Sequence, residues 1–274
     1  METSPRAARR PGKRAYLLIT GFALLLVLFP FLFWYGTWFG RRLTDQQIDE
    51  YLNDASKPRH AQHALVQIGE RLSRGDPAAQ RWYPQVVELS KSKLLELRQT
   101  TAWIMGQDHR YQPFHDALLR LTGDSEPMVR RNAALALSNF HDPAALPVLR
   151  EMLRPYTLPA PVAGTVRYRL KVGEYVNPGT LVGHIDSTEV RSPLPGEVRA
   201  LDRSEGAPVK AGDPLVELSP DEKHVWEALR ALYTVGGRSD LDEVKRYARG
   251  VPGMTERIQR QAAVTAQAIE AHTK

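Results

Sequence analysis

The sequence predicts a multidomain α and β chain: an N-terminal transmembrane helix, an α-solenoid of helical repeats, and an all-β domain inserted into that solenoid. Three observations carry this expectation. Residues 15–39 hold no charge. Apolar residues recur at three- and four-residue spacing through 97–153, with a period of 32 residues. Two glycine-proline-valine segments, 160–185 and 192–218, repeat one another at about the same interval.

Leu, Phe, Ile, Val and aromatics dominate 15–39, a run long enough as a helix to cross a hydrocarbon core of about 30 Å. Pro30 is expected to kink it, and Trp34, Tyr35, Trp38 and Phe39 read as an interfacial aromatic belt. Arg6, Arg9, Arg10, Lys13 and Arg14 precede the span against the single acid Glu2, and Arg41 and Arg42 follow it. Together they account for the whole formal net charge of +6 and leave the chain from Leu43 onward neutral. The positive-inside rule then places a basic tail, 1–14, in the cytoplasm and the remaining domains outside it. The end of the apolar run, WYGTWFGRR, is bulky and offers no A-x-A-like site, which favours a retained anchor over a cleaved signal peptide. The basic balance is therefore a topology signal, and no basic cluster interleaved with aromatics argues for nucleic acid. With no cysteine in the chain, disulfides, thiol catalysis and thiolate metal sites are excluded.

The helical repeats are expected over 43–154 and again over 220–272. Val129-Arg130-Arg131-Asn132-Ala133-Ala134-Leu135-Ala136-Leu137, followed by Leu146, Leu149 and Leu153, matches Leu97 to Met105 followed by Phe114, Ala117 and Leu121. Each helix gains one buried stripe from this spacing, and Asp142-Pro143 is a helix-restarting signal. A more divergent pair is expected over 59–72 and 77–89, preceded by a helix from Thr44 to Leu52. The pattern returns at Val225 to Leu232, at Leu241 to Tyr247 and at Ile258 to Ile269. The V-R-x-x-A-x-x-A-L helix, turn and second leucine-rich helix resemble HEAT-like repeats of the phycobilisome-lyase type. Most relatives of that type are interaction modules, so the resemblance implies no enzymatic activity.

The β-domain is expected at 156–219. Pro161, Gly164, Val166, Gly173, Val176, Gly179, Val182 and Ile185 fall onto Pro193, Gly196, Val198, Gly206, Val209, Gly212, Leu215 and Leu218. Short β-favouring runs between glycine turns suit strands, and neither half alone buries its apolar face, so the two are expected to close on each other. These residues resemble the biotinyl/lipoyl-carrier fold, a pseudosymmetric barrel-sandwich hybrid that also occurs in HlyD-like membrane-fusion proteins. In carriers a lysine at the tip of the linking hairpin takes the cofactor. Here the link Asp186, Ser187, Thr188, Glu189 holds no lysine, and none occurs between Lys171 and Lys210. A covalently carried cofactor is therefore not expected. The long helical hairpin that separates the half-motifs of membrane-fusion proteins is missing too.

Other candidate chemistry is sparse. His60 and His63 are three apart and are able to share a helix face with Asp54 or Glu70, but no H-E-x-x-H signature accompanies them, and solvated surface histidines are the expectation. Ser187, Ser192 and Ser219 lie in no G-x-S-x-G elbow, and Gly236-Gly237 lacks the context of a phosphate cradle. No catalytic, cofactor-binding or metal residue is expected, and no cofactor. Arg130-Arg131 is a candidate contact for an acidic partner. Trp82, Tyr83, Trp103 and Trp226 are expected in the core, an exposed one being a potential interface anchor.

The expected function is a non-catalytic, membrane-anchored scaffold or assembly factor of the bacterial inner membrane. Its periplasmic repeat surface and unmodified lipoyl-like domain would contact other envelope or membrane proteins. The alternative is an accessory membrane-fusion-like, periplasmic adaptor subunit of an efflux or secretion transporter.

Overall fold

The structure is a computed structural model describing residues 13–36, 42–54 and 57–272, with side chains on its first helix at 17 and 19–32. The chain divides into two units, Met1–Gln67 and Ile68–Lys274.

In the first unit, α1 (Lys13–Gly36) runs unbroken through Pro30. The apolar side chains described on it, from Leu17 to Leu32, are exposed. Residues 37–39 of the expected span lie outside the described residues, as do 1–12 of the basic tail. Trp38 and Phe39 of the expected aromatic belt fall there. Among the described residues, no helix is long and apolar enough to cross a membrane. Next comes α2 (Asp45–Asn53), started by a capping box in which Thr44 Oγ1 accepts the Gln47 N–H at 3.2 Å and Gln47 Oε1 accepts the Thr44 N–H at 3.1 Å. Such a cap stabilises a helix by about 1 kcal/mol. α3 (Pro58–Ser73) follows.

The second unit begins at Ile68, inside α3, and continues with a 3-10 turn, Pro77–Trp82, that runs into α4 (Tyr83–Leu89). The pairs α5 (Leu95–Met105) with α6 (Gln112–Leu121) and α7 (Pro127–Ser138) with α8 (Leu146–Met152) are the two copies of the 32-residue repeat. Their stripes are fully buried at Ile104, Met105, Phe114, Leu118, Leu137, Leu149 and Met152. Asp76, Asp108 and Asp142 recur at the turns, each accepting the backbone N–H two residues on, from Ala78, Arg110 and Ala144. The aspartate thereby supplies the acceptor that a tight turn into a helix lacks. Beyond the β-region, α9 (Glu222–Val235), α10 (Leu241–Ala248) and α11 (Glu256–His272) complete the helical part. α9 packs on both α7 and α8, so the helical layer is continuous across the interruption.

The β-region has eight strands: β1 (Tyr156–Pro159), β2 (Gly164–Tyr168), β3 (Tyr175–Val176), β4 (Leu181–Ile185), β5 (Thr188–Arg191), β6 (Gly196–Leu201), β7 (Pro208–Val209) and β8 (Pro214–Leu218). They form two antiparallel sheets, ordered β1-β8-β6-β3 and β5-β4-β2-β7. Exchanging the two halves of the region converts one sheet into the other. Val166 pairs with Ile185 as Val198 pairs with Leu218, and Gly164 faces Val209 as Gly196 faces Val176. Both sheets feed one core, which includes Val166, Val176, Val182 and Ile185 with their counterparts Val198, Val209, Leu215 and Leu218.

Two strands depart from the sequence reading. The stretch after Ile185, read as a linker, is a two-residue turn at Asp186-Ser187 followed by strand β5, and β1 precedes the first half. β5 buries one apolar side chain in that core, Val190, and β1 buries Leu158 with Tyr156 packed partly against it, runs too short to stand out as an alternating pattern.

Candidate functional site

A groove of about 370 Å³ runs across the first helices of successive repeats, lined by Gln99 and Trp103 of α5, Asn132 and Leu135 of α7, and Lys223, His224 and Glu227 of α9. The helices are stitched side by side. Asn132 Nδ2 donates to the Gln99 carbonyl at 3.1 Å and Asn139 Nδ2 to the Gly106 carbonyl at 3.0 Å. A Cβ at Gly106 would lie 2.9 Å from Ala136 Cβ, so glycine permits the close approach.

Trp103 is the groove's large apolar group and is 42% exposed. Its indole packs closely on Gly69 of α3, where a Cβ would come within 2.3 Å of the ring. Buried placement therefore fails for Trp103, whereas Trp82 and Tyr83 are buried. Trp226 is half-buried between the guanidinium groups of Arg230 and Arg257. The exposure of Trp103 carries no sequence signal of its own: the ring packs against Gly69, one helix away, and its counterpart in the next repeat is Leu135.

Beside the groove, Asp221 caps α9 by accepting the His224 N–H, and its Oδ2 also accepts His224 Nδ1–H at 2.7 Å. Tyr175 of β3 donates to Asp221 Oδ1 at 2.6 Å. Burial works against the carboxylate's charge, but these hydrogen bonds hold it below the usual carboxylate range. Burial pushes His224 down, with the Arg131 charge acting in the same direction against the Asp221 hydrogen bond. Burial and the bond to Asp221 push the Tyr175 phenol up to about 12.

The remaining sequence candidates are dispersed. Asp186, Ser187, Thr188 and Glu189 are exposed at the β4–β5 turn. Asp186 adopts φ 50° and is engaged structurally, accepting the Thr165 N–H at 3.0 Å. Ser192 is buried and donates to the Leu194 carbonyl. His60 stacks on Tyr51 with ring centroids 4.1 Å apart and bonds Asp54, while His63 is only 4% exposed and bonds Gln67. The solvated placement expected of His63 is thus corrected: its ring faces inward, next to an amide that satisfies it. Among the described residues, no group of three or more His, Cys, Asp or Glu side chains is placed to hold a metal. Arg130 and Arg131 part company: Arg130 is half-buried and Arg131 is buried.

This arrangement of paired helices defines a helical-repeat protein with a β-sheet region between its eighth and ninth helices. A family model described as HEAT repeats matches residues 83–156, from α4 to the start of β1. Among solved structures, an engineered protein is similar at 14% identity and a TM-score of 0.45, over 82% of this chain and 79% of that one. A designed armadillo repeat protein is similar at 12% identity and a TM-score of 0.41, over 81% of this chain and 80% of that one. No curated protein matches the sequence.

Proposed function

We propose that the protein is a non-catalytic interaction scaffold, anchored in the bacterial inner membrane with its N-terminus cytoplasmic and its repeat and β regions periplasmic. On this reading another envelope or membrane protein seats on the groove around Trp103. The observation that carries it is a tryptophan 42% exposed in a groove whose walls are stitched helices. Large aromatics in rigid surroundings are the side chains on which interfaces concentrate their energy. Support for the anchor is the uncharged run 15–39, the exposed apolar side chains of the 24-residue α1, and the basic excess before it. The exchange symmetry of the two sheets supports a biotinyl/lipoyl-like β-domain without a carried cofactor, since its β4–β5 turn has no lysine. A two-residue turn at Asp186-Ser187 stands where an adaptor would need a long helical hairpin, which favours the scaffold over the transporter subunit.

The test is site-specific photocrosslinking from position 99 or 135, on either side of Trp103, in intact membranes. The reading requires one adduct that Trp103→Ala reduces by about tenfold or more, the usual scale of a lost aromatic anchor. It also requires the protein to leave the membrane fraction when 1–41 are removed. Adducts insensitive to Trp103→Ala would refute the groove; unchanged membrane recovery would refute the anchor.

A further inference from the structure

A second cavity, of about 280 Å³, lies where the second repeat meets the β-region, with Arg130 and Arg131 of α7, Glu151 of α8, Arg154 and Tyr156 of β1 around it. Three cations face one acid. Among the described residues, none of the three arginines makes an ion pair. Arg131 is 6% exposed, and among the described residues no hydrogen bond occupies its guanidinium. The acid whose field acts most on it, Asp221, is engaged by Tyr175 and His224. Burial pushes Arg131 down to about 10, the mark of a cation short of compensation.

The repeat itself says what compensates. One period earlier, Arg98 stands where Arg130 stands now, and the two share a backbone anchorage. Arg98 Nη1 donates to the carbonyls of Ser92 and Lys93, and Arg130 Nη1 to those of Asp124 and Ser125. The other edge of Arg98 takes a bidentate carboxylate: Nε to Asp124 Oδ2 at 2.7 Å and Nη2 to Asp124 Oδ1 at 3.1 Å. Thirty-two residues beyond Asp124 the chain has Tyr156, the first residue of β1, and among the described residues no carboxylate pairs with Arg130. The cavity is walled on its apolar side by Val148 and Leu194.

We propose that this cavity binds a carboxylate on a short apolar stem, the acid group taking the place against Arg130 that Asp124 takes against Arg98. A bidentate arginine–carboxylate pair supplies both strength and orientation, and Arg131 and Arg154 add charge of the right sign. This does not rest on the groove reading. The carboxylate comes either from a free small organic acid or from the C-terminus of a protein partner.

Calorimetric titration of the detergent-solubilised full chain tests it, with hexanoate and acetyl-Gly-Leu as probes against hexanamide and acetyl-Gly-Leu-amide. The expected result is saturable binding of at least one acid and none of its amide. Arg130→Gln and the exposed Arg154→Gln should each weaken that binding by about tenfold, as loss of one charged pair does. Tyr156→Asp supplies the repeat's own carboxylate and should abolish binding, and a retained cooperative melt of that variant separates an occupied site from a misfolded one. Hexanoate binding at least as tightly as the peptide assigns the site to a small acid; binding of the peptide alone assigns it to a partner's C-terminus. No binding of either acid, equal binding of acid and amide, or equal binding by wild type and both arginine variants would overturn the proposal.

Discussion

Asp221 sits where the β-region ends and α9 begins, and its two oxygens join the two: one takes the Tyr175 hydroxyl from β3, the other the His224 ring and backbone N–H. Asp221→Ala removes a helix cap and leaves the buried His224 ring and the exposed Tyr175 hydroxyl without their acceptor. A loss of about 1–3 kcal/mol is expected from chemical denaturation, and a change within a few tenths of wild type would mean the junction is held elsewhere. His224 makes the same junction pH-dependent. Its folded-state pKa lies below its ordinary value near 6.5, so as pH falls the unfolded chain takes up the proton first. Stability is therefore fully present above about pH 6.5 and declines as pH drops through the folded-state value. The groups facing the ring are Asp221, Arg131 and Glu227. Between pH 7.5 and pH 5.5 the melting temperature of wild type should fall further than that of His224→Asn; parallel falls would place the pH sensitivity on another group.

The repeat helices depend on one buried ion pair as well as on their apolar stripes. Arg98 and Asp124 are nearly enclosed, and Asp124 also accepts the Glu126 N–H ahead of α7. Although burial opposes its charge, the Arg98 contact holds Asp124 below the usual carboxylate range. Asp124→Ala leaves the guanidinium inside without a counter-charge, and about 3 kcal/mol should be lost, visible as a lower denaturant midpoint. A near-neutral result would mean that water compensates Arg98. In the β-region the tightest backbone approach is at Gly183 of β4, where a Cβ would fall 2.3 Å from the Arg167 carbonyl of β2. Gly183→Ala must push the two strands apart, at a cost of about 1–3 kcal/mol, and loss of amide protection along β2 and β4 is the readout. These elements differ in how far they could be read from the residues alone. Helices α5 and α7 were legible because their stripes recur with one period, and the paired strands because valine and glycine recur in both halves. Strands β1 and β5 were not, since each is four residues long with one fully buried side chain and acquires its identity from its neighbour in the sheet. The exposure of Trp103 and the burial of Arg131 escaped for the same reason: their neighbours Gly69 and Tyr156 are distant in sequence and meet them only in the fold.

At the scale of the second unit, the helical layer closes over the β-region's point of departure. α8 packs on α9, the Tyr247 hydroxyl of α10 donates to the Leu153 carbonyl at 2.7 Å, and Arg150 of α8 pairs with the buried Asp240. The chain thus leaves and re-enters the helices at neighbouring points, and a short connection is able to replace what lies between them at small entropic cost. The β-region in turn has a core drawn from its own strands on both sheets. Each part is therefore expected to fold without the other. Replacing 156–219 by a short glycine-serine linker should leave a helical far-ultraviolet spectrum and a cooperative melt. The fragment 154–220, excised, should show a β spectrum and its own, weaker transition, because a domain of this size buries a smaller share of its surface. Loss of cooperativity in the helical remainder would show instead that α8 and α9 are held together by the β-region rather than by each other, and the continuity of the repeat layer would then be a consequence of the insertion and not its foundation.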